Sequence, residues 1–410
     1  MSLAPSVRCL IVALLLPMCL SAQERPRQVI LFIGDGVGAS AWTAARFAAD
    51  ALAVERFRIM GLVDTRASDS DVTDSGAGAT AYSAGVRTFN GAIGVGPDSA
   101  PATTVLQVAR DRGWATGLVA TSSVTHATPA SFAAHVPSRA SEFDIARQIV
   151  ENRVDVLLGA GLRYFSRASR PDSVDLIERL RTTHTVVTTP EALVAVDLRA
   201  TSRLAGFFGA SQMPSAPERR PSLPDMTRIA IEVLSRDPDG FFLMVEGSQI
   251  DWEAHDNGSL EALTAEMLDF DRAIGVALDY QARNPRTLLL VTADHETGGL
   301  AIELARDSVR VEAAIASLRA AFGQVAGTKS LLGEDHQPGL DTLLQGMTTT
   351  GRRLALAARN GGTRLVARYT TDDHTAQMVP LFAMGPGAER FGGILDNYRV
   401  GQLLLELVRR

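Results

Sequence analysis

The stretch VILFIGDGVG, residues 29–38, joins an apolar run to a glycine-rich turn that carries one acid. Residues 29–33 are apolar at every position, which is typical of a strand covered on both faces. Similar short runs recur at residues 117–120, 154–158, 241–245, 288–292 and 379–383. Segments with a helical pattern lie between them, at residues 39–51, 141–152, 223–235 and 260–283. This alternation predicts an α/β fold with a doubly wound, mostly parallel central sheet and helices on both faces.

The composition is that of an ordinary globular protein. Of the 410 residues, 46% are hydrophobic and 21% are charged, and the formal net charge is −6. A chain of this length allows one large domain or two. Because the basic residues form no stripe and lysine is almost absent, we expect no nucleic-acid-binding surface.

The N-terminus has the pattern of an export signal. Arg8 precedes an apolar run at residues 9–20, and the small residues Ser21 and Ala22 follow it. The run is too short to span a bilayer comfortably, which predicts a signal peptide at residues 1–22 and a periplasmic or secreted protein. The alternative is an uncleaved membrane anchor. Both cysteines lie in this segment, so the mature chain is expected to have no disulfide, no thiol nucleophile and no transmembrane span.

Two regions interrupt the alternation of strands and helices. Residues 166–224 are rich in Ser, Thr, Pro and Arg, which predicts a peripheral excursion rather than core. Residues 300–369 separate two strand signals with polar residues and glycines throughout. Because a structureless loop of that length is improbable in a compact protein, we expect an inserted subdomain at about residues 300–369 of a catalytic domain at residues 23–410.

Polar residues follow several of the apolar runs. The carboxyl ends of parallel strands share one edge of a sheet, so these residues are expected to converge there. They are Asp35, His126, Thr128, Glu246, Asp294, His295 and His374. Asp251 and His255 are spaced i, i+4, so they share one face if that segment is helical and can grip one ion.

Each of these features has a simpler interpretation on its own. The glycine-rich turn is also found in dinucleotide-binding loops, but Asp35 at its centre would repel a pyrophosphate and favours a cation. Asp294-His295 alone is typical of a turn, and the pair Asp251 and His255 alone decides nothing.

The histidines fall into two sets. Four of the seven lie beside carboxylates after strand signals, namely His126, His255, His295 and His374. The pattern predicts that His135 is a hydrogen-bonded core residue, and that His184 and His336 are solvent-facing or structural. Mixed Asp/His sets suit zinc, whereas the oxygens of Asp35, Thr128 and Glu246 suit magnesium, so more than one metal is implied.

Six ordered blocks of sequence carry a resemblance to a known family. The blocks are GDGVG, TDSGAGATAYSAG, THATPASFAAHVPSR, FFLMVEGSQIDWEAH, VTADHETGG and DDHTAQMVPLFAMGPGA. In this order they resemble the alkaline phosphatases over most of the chain. The resemblance implies hydrolysis of small phosphate monoesters through a phosphoserine, by a two-zinc in-line mechanism with a third metal.

The resemblance also implies a role for each matching residue. The ligands of the first zinc would be Asp251, His255 and His374. Those of the second would be Asp35, Asp294 and His295, with the oxygen of Ser75. Asp35 would bridge to a third ion, magnesium in the family pattern, held also by Thr128 and Glu246 with His126 nearby. Arg139 would clamp two phosphate oxygens, with Asp74 orienting it.

Ser75 fits the role of nucleophile in this scheme. A free serine hydroxyl is a weak nucleophile, and the sequence around Ser75 shows neither a Ser-His-Asp arrangement nor a G-x-S-x-G elbow. A zinc ion lowers the pKa of a coordinated oxygen by many units and so replaces a histidine base. If Ser75 begins a helix, Asp74 also fits as its N-cap, and the helix N-terminus favours phosphate. The simpler alternative is a tightly packed Ala/Gly helix start.

Two positions depart from one well-known branch of the family. That branch has an aspartate where His126 stands and a lysine where Trp252 stands, whereas other members share the His and Trp found here. An imidazole in place of a carboxylate makes the third site less suited to magnesium and favours zinc or cobalt. Trp252 lies next to the predicted site, where it either contacts the substrate or only packs against the site.

Three functions remain under comparison. The leading hypothesis is an exported phosphomonoesterase. The second is a phosphodiesterase or sulfatase built on the same metal scaffold, against which the third-site oxygens and Arg139 argue, since they suit a dianionic monoester. The third is a non-catalytic phosphate- or metal-binding protein. The resemblance also implies a homodimer with the insertion at residues 300–369 near its interface.

Overall fold

The computed structural model describes residues 25–305 and 364–409. The predicted signal peptide at residues 1–22, His336 and most of the predicted insertion lie outside these ranges. The strands are β1 Gln28–Gly34, β2 Ile59–Asp64, β3 Ala115–Ser123, β4 Val156–Ala160, β5 Thr185–Val187, β6 Leu204–Phe207, β7 Phe241–Gly247, β8 Thr287–Thr292, β9 Glu296–Thr297, β10 Ala301–Ala305, β11 Arg364–Arg368, β12 His374–Thr375, β13 Val379–Met384 and β14 Gly393–Asp396.

The helices alternate with these strands. They are α1 Ala39–Ala48, α2 Ser75–Ala84, α3 Val105–Asp111, α4 Ala127–Ala133, α5 Glu142–Glu151, α6 Leu162–Phe165, α7 Leu176–Arg181, α8 Pro190–Val194, α9 Leu223–Leu234, α10 Gln249–His255, α11 Leu260–Arg283 and α12 Asn397–Arg409. Two short 3-10 helices cover Ala53–Arg56 and Ala388–Phe391.

A ten-stranded sheet forms the centre of the fold, in the order β14-β2-β13-β8-β1-β7-β3-β4-β6-β5. The paired strands run parallel except that β13 is antiparallel to both β2 and β8. Strands β7 and β8 are buried at every position, as expected for strands with helices on both sides. The predicted mostly parallel sheet is confirmed.

Two adjacent phenylalanines of β7 show that both faces of the sheet are covered. Successive side chains of a strand point to opposite faces. The ring of Phe241 packs against Tyr280 of α11, whereas Phe242 stacks on Phe132 of α4 at 5.8 Å. Helices α9 and α11 therefore form one layer, and α2, α4 and α12 form the opposite layer.

The interpretation of residues 166–224 as an excursion outside the core is wrong. This region supplies β5 and β6 at the edge of the sheet, and β6 pairs with β4. It also buries Arg219 completely, and its guanidinium is bound by Glu266 and Asp269 of α11. Strands of three and four residues are too short to show a clear apolar pattern, and a buried arginine is recognised only through its partners.

The predicted insertion begins and ends at a small antiparallel ribbon. Strands β10 and β11 pair from Ala301 with Arg368 to Ala305 with Arg364, so the chain leaves and re-enters the described part at one place. An inserted subdomain at about residues 300–369 stays a prediction. Within residues 25–305 and 364–409, no helix is both long and apolar enough to cross a membrane.

Candidate active site

The predicted polar residues meet at the carboxyl edge of the central strands. The turn after β1 brings Asp35 to this edge, and Gly36 follows with a φ of +72°. A Cβ atom at position 36 would lie 2.8 Å from Thr297 Oγ1 and 2.9 Å from Asp251 Cα. The glycine is therefore required both by its backbone conformation and by the close approach of two other segments.

The first group of candidate ligands consists of Asp251, His255 and His374. Asp251 and His255 lie one turn apart on α10, as their spacing predicted. His374 comes from β12, which pairs with β9, and not from the end of a strand of the central sheet, which corrects the expectation for this residue. The Nε2 atoms of His255 and His374 are 3.1 Å apart, and Asp251 Oδ2 is 3.4 Å from His255 Nε2.

The ring hydrogens of this group are fixed by backbone carbonyls. His255 Nδ1 lies 2.6 Å from Asp372 O and His374 Nδ1 lies 2.8 Å from Thr73 O, so each Nδ1 donates. In neutral rings both Nε2 lone pairs then face one another, which requires a cation between them. In the metal-free protein a proton takes this place, because the hydrogen bond to Asp251 raises the pKa of His255 to about 9.

The second group consists of Asp35, Asp294 and His295, all fully buried. His295 Nε2 is 3.5 Å from Asp35 Oδ1 and 3.4 Å from Asp294 Oδ2. Ser75 Oγ is 3.3 Å from the same nitrogen. One nitrogen thus faces three oxygens, which is the arrangement of a metal cage rather than of a serine–histidine pair alone.

The third group shares Asp35 and adds His126 and Glu246. Thr128 lies buried beside the Glu246 carboxylate. Burial raises the pKa of Glu246 to about 7, and the negative charge of Asp294 adds to this effect.

Burying these acids in their charged form, close to one another, costs free energy. Burial, with the charges of Asp294 and Asp251, raises the pKa of Asp35 well above its ordinary value. Within the part of the chain that the structure describes, several buried atoms of these groups have no hydrogen-bond partner. They are both carboxylate oxygens of Asp35, Oδ2 of Asp294, Oε1 of Glu246 and Nδ1 of His126. Unpaired carboxylates that point at one another fit metal cations, which would neutralise their repulsion.

Ser75 is the first residue of α2, and Asp74 is its N-cap. Asp74 Oδ1 accepts hydrogen bonds of 2.9 Å from the amides of Ala77 and Gly91. Its Oδ2 accepts 2.8 Å from Arg139 Nη1. Burial opposes ionisation, but the charge of Arg139 and the two amides hold the pKa of Asp74 below its ordinary value. The predicted double role of Asp74, as cap and as arginine partner, is present in the geometry.

Arg139 reaches the site from a partly exposed loop. Its second terminal nitrogen lies 3.1 Å from His126 Nε2, which must accept because a guanidinium only donates. Burial, followed by the charge of Arg139, lowers the pKa of His126 to about 3, so this ring is neutral. The indole of Trp252 packs edge-on against it, with 6.1 Å between ring centroids.

Small residues allow α2 to approach the metal-ligand groups. A Cβ atom at Gly78 would lie 2.9 Å from the carbonyl oxygen of Asp294, and one at Gly76 would lie 2.9 Å from that of Ala92. Alanine already crowds these positions, which explains the run of glycines and alanines after the serine.

Two further histidines of the described residues, His135 and His184, have structural roles. His135 is partly buried and lies 2.7 Å from Gln107 Nε2 and 2.6 Å from Gly94 O, which confirms the predicted hydrogen bonding. His184 is 8% exposed and bonds to Val154 O, so its structural alternative is confirmed.

Sequence reasoning missed two neighbours of the site. Asn90 Oδ1 accepts 2.9 Å from the amide of Asp74, and Thr297 Oγ1 lies 2.5 Å from Asp251 Oδ1. Both are ordinary polar residues in loops or short strands. Only their position in space identifies them.

Comparison with known proteins agrees with this site. The family model described as alkaline phosphatase matches residues 26–409. Alkaline phosphatase 3 of Bacillus subtilis is 35% identical, over 93% of this chain and 88% of its own. Streptomycin-6-phosphate phosphatase of Streptomyces griseus is 33% identical, over 95% of this chain and 93% of its own.

Solved structures show the same likeness. The alkaline phosphatase from the Antarctic bacterium TAB5 superposes with a TM-score of 0.75 at 33% identity, over 94% of this chain and 99% of that one. The alkaline phosphatase of Thermus thermophilus gives a TM-score of 0.76 at 30% identity, over 94% and 92% of the two chains.

The fold and the three ligand groups thus define a metal-dependent hydrolase with its site at the carboxyl edge of an α/β sheet. The chain belongs to the alkaline phosphatase family. It is an enzyme that hydrolyses phosphate monoesters.

Proposed function

We propose that Ser75 is the nucleophile of this hydrolysis and that Arg139 binds the phosphate, so that the reaction passes through a phosphoserine. One observation carries the proposal. Ser75 Oγ lies 3.3 Å from His295 Nε2, at the start of a buried helix and beside carboxylates that lack protein partners among the described residues.

The three ligand groups are assigned to three metal ions. The first zinc would be held by Asp251, His255 and His374, and the second by Asp35, Asp294 and His295 with the Ser75 oxygen. The third ion, magnesium in the family pattern, would be held by Asp35, Thr128 and Glu246 with His126 nearby. When bound, such ions lower the pKa of a serine oxygen and stabilise negative charge on the leaving oxygen.

The protein itself orients the phosphate. The N-terminus of α2 and its dipole favour the negative charge next to Ser75. Arg139 is held in place by its bond to Asp74, and its planar guanidinium binds two non-bridging oxygens at once. Attack by Ser75 and the later hydrolysis of the phosphoserine each invert the configuration at phosphorus. The complete reaction therefore retains that configuration.

The nature of the third ion depends on His126. This residue offers a neutral nitrogen where a carboxylate would suit magnesium, so zinc or cobalt is an alternative occupant. Solved mutants of the TAB5 enzyme, in which a histidine was changed to aspartate or glutamate, carry Mg in a site called M3. That pattern supports a link between an added carboxylate and magnesium.

The test uses residues 23–410, stripped of metal and reloaded with zinc, magnesium or cobalt. A chromogenic phosphate monoester, a phosphodiester and a sulfate ester are assayed in parallel. We expect metal-dependent monoester hydrolysis well above the other two activities, and a loss of roughly a thousandfold or more in Ser75→Ala. Ser83→Ala is the matched control, because Ser83 lies buried on the same helix but bonds to Ser131 O.

Other outcomes of this assay support the alternatives. A preference for the diester or the sulfate ester would keep the fold and the metals but assign a different substrate. Unchanged activity in Ser75→Ala would remove the serine from the mechanism. No activity with any metal would support a protein that only binds phosphate or metal.

We further propose that residues 1–22 are a signal peptide and that the mature enzyme is periplasmic or secreted. The support is the apolar run between Arg8 and Ser21. N-terminal sequencing of the exported enzyme is expected to begin near Gln23. Recovery of the intact N-terminus in the membrane fraction would instead indicate an anchor.

We also propose that the enzyme is a homodimer. At one edge of the sheet, Met60 of β2 and Ile394 of β14 are 65% and 67% accessible. Phe47 of α1 is also exposed, and it lines an apolar groove together with Trp42. Such exposed apolar side chains are typical of protein interfaces. Helix α1 also packs near β10, where the predicted insertion begins.

Light scattering tests the dimer directly. We expect a dimeric mass for the wild type and a monomeric mass for the double variant Met60→Glu with Ile394→Glu. Val194→Glu is the control, since Val194 is 87% exposed on α8, beside the opposite edge strand. A monomeric wild type would refute the dimer.

A further inference from the structure

We propose that Thr297 is a positioning residue whose hydroxyl bonds to both the first and the second ligand group. It keeps the side chains of His295 and Asp251 in the orientation that binds metal. Thr297 is 1% exposed and lies on β9, two residues after His295. This inference rests on the proposed assignment of the ligand groups, and it gives a role to a residue that ligates neither metal.

The direction of the two hydrogen bonds follows from the number of protons. Thr297 Oγ1 lies 2.5 Å from Asp251 Oδ1 and 3.2 Å from His295 Nδ1. A hydroxyl has one proton, and the carboxylate can only accept, so Thr297 donates to Asp251. It then accepts from His295, whose Nδ1 must carry the ring hydrogen.

This assignment leaves His295 Nε2 without a proton. That nitrogen is the one that faces Ser75 Oγ, Asp35 and Asp294. A metal ligand requires an unprotonated nitrogen, and the second nitrogen of a ligating histidine is commonly fixed by such a partner. Thr297 therefore selects the ring form of His295 that can bind a cation.

The same hydroxyl orients the carboxylate of the other group. Asp251 Oδ1, which accepts from Thr297, lies 3.7 Å from His374 Nε2. In the ribbon of β9 and β12, Thr297 is also the residue paired with His374. One threonine thus contacts or adjoins ligands of both groups.

The backbone holds Thr297 firmly in this place. Its amide donates to Gly36 O at 3.2 Å, and a Cβ atom at Gly36 would lie 2.8 Å from the threonine hydroxyl. The hydroxyl can reach Asp251 only because position 36 is glycine. The turn that carries Asp35 is therefore shaped to admit this contact.

The test compares two substitutions at this position. Thr297→Val keeps the shape and removes the hydroxyl, whereas Thr297→Ser keeps the hydroxyl. Zinc affinity of each variant is measured by competition with a series of chelators, without recourse to activity. We expect Thr297→Val to bind zinc about 10- to 100-fold more weakly and Thr297→Ser to bind it nearly as the wild type does.

Thr116→Val is a matched control for the loss of a buried hydroxyl. Thr116 is fully buried, and its Oγ1 lies 3.2 Å from a carboxylate oxygen of Asp155, at the start of β3 and away from the site. We expect its zinc affinity to equal that of the wild type. Equal weakening in Thr116→Val and Thr297→Val would overturn the proposal, because general destabilisation would then explain the loss.

A second readout follows the hydrogen on His295 Nδ1. In ¹⁵N-histidine-labelled, metal-free protein its NMR signal is expected in the wild type and in Thr297→Ser, and to be lost or shifted in Thr297→Val. Unchanged zinc affinity in Thr297→Val, or equal loss in Thr297→Ser, would overturn the positioning role. A wild type that takes up fewer than two zinc ions would instead refute the ligand assignment, and the positioning role with it.

Discussion

The carboxylate of Asp74 connects three functional features at the scale of single residues. It caps α2 through Ala77, fixes the loop at Gly91 and binds Arg139. One side chain therefore positions the start of the helix, the proposed nucleophile and the proposed phosphate clamp. Under the proposed role of Arg139, its bond to Asp74 also determines which edge of the guanidinium is left to bind the phosphate.

Arg139 should not be replaceable by lysine. In Arg139→Lys we expect the inhibition constant for inorganic phosphate and KM to rise roughly 10- to 100-fold, since a hydrogen bond to a charged group contributes about 1.5–3 kcal/mol. A lysine supplies one point charge and loses the planar pair of donors. Steady-state kinetics with phosphate as competitor measure both constants.

The control for this prediction is Arg147→Lys. Arg147 is exposed on α5 and pairs with Glu151 and Asp144, away from the ligand groups. Its phosphate inhibition is expected to stay unchanged. Wild-type phosphate affinity in Arg139→Lys would remove the clamp from the mechanism.

At the scale of the element, α2 is buried along its whole length. It lies between α4 and α12. Its polar side chains form hydrogen bonds inside the protein, such as that of 3.2 Å between Thr80 Oγ1 and Ser131 Oγ. On α12, a Cβ atom at Gly401 would come within 2.1 Å of Ala81 O. The small residues of this helix therefore serve helix packing as well as the approach to the site.

Two helical glycines make opposite predictions when changed to alanine. In Gly78→Ala the new Cβ would crowd the carbonyl of Asp294 at 2.9 Å, so we expect a loss of about 1–3 kcal/mol in stability and a lower kcat. In Gly275→Ala the new Cβ meets Ala53 Cβ at an ordinary 3.4 Å. Here helix propensity dominates, and stability should rise by up to about 1 kcal/mol with kcat unchanged.

Chemical denaturation and kinetics of the two variants measure these effects. Because both changes add one methyl group to a helix, their difference isolates the contact with Asp294. An active, stabilised Gly78→Ala would show that α2 does not need its close approach to the second ligand group.

At the scale of the whole molecule, metal removal should make stability depend on pH. Burial raises the pKa of Glu246 from its ordinary 4.5 to about 7 in the metal-free protein. The folded state then binds the extra proton, so this stabilisation is present below about pH 4.5 and is lost as the pH rises to about 7. We expect a loss of up to about 3 kcal/mol from this group.

His255 should extend the same trend to higher pH. Its pKa is raised to about 9 by Asp251, so its contribution is present below about pH 6.5 and is lost toward pH 9. Its partial exposure makes this contribution smaller than that of Glu246. Unfolding by urea at a series of pH values measures both effects.

Reloading with zinc is expected to reverse the slope, because metal binding requires deprotonated ligands. Metal-free Glu246→Gln, which lacks the titrating group, should lack this loss of stability between pH 4.5 and 7, whereas His126, whose pKa is lowered, makes its opposite contribution in both proteins. Identical pH profiles of the metal-free wild type and Glu246→Gln over that range would contradict the raised pKa of the Glu246 carboxyl.

Local sequence patterns predicted much of the fold. The helix expected at residues 260–283 has those bounds, and the six apolar runs all form strands of the central sheet, with small shifts such as Val156–Ala160 for residues 154–158. Periodicity works here because long helices and buried strands repeat one local requirement many times. Strands β5 and β6 are too short to repeat it, and they were missed.

The ligand types were also recognisable from sequence, since carboxylates and histidines after buried strands are unusual enough to stand out. Their division into three groups could be predicted only from the resemblance to the alkaline phosphatases. The structure places Asp35 in two groups at once and brings His374 in through a ribbon. Sequence spacing contains neither relation.

The sequence by itself determined which residues are apolar, where long helices and central strands form, and which side chains can bind phosphate or metal, because each depends on residue type and local repeat. Only the tertiary structure decided which of them meet. Thr297 and Asp251 are 46 positions apart, and Arg219 is buried only because two acids of α11 face it. Such contacts depend on the order of strands and the packing of helices, which local periodicity does not encode.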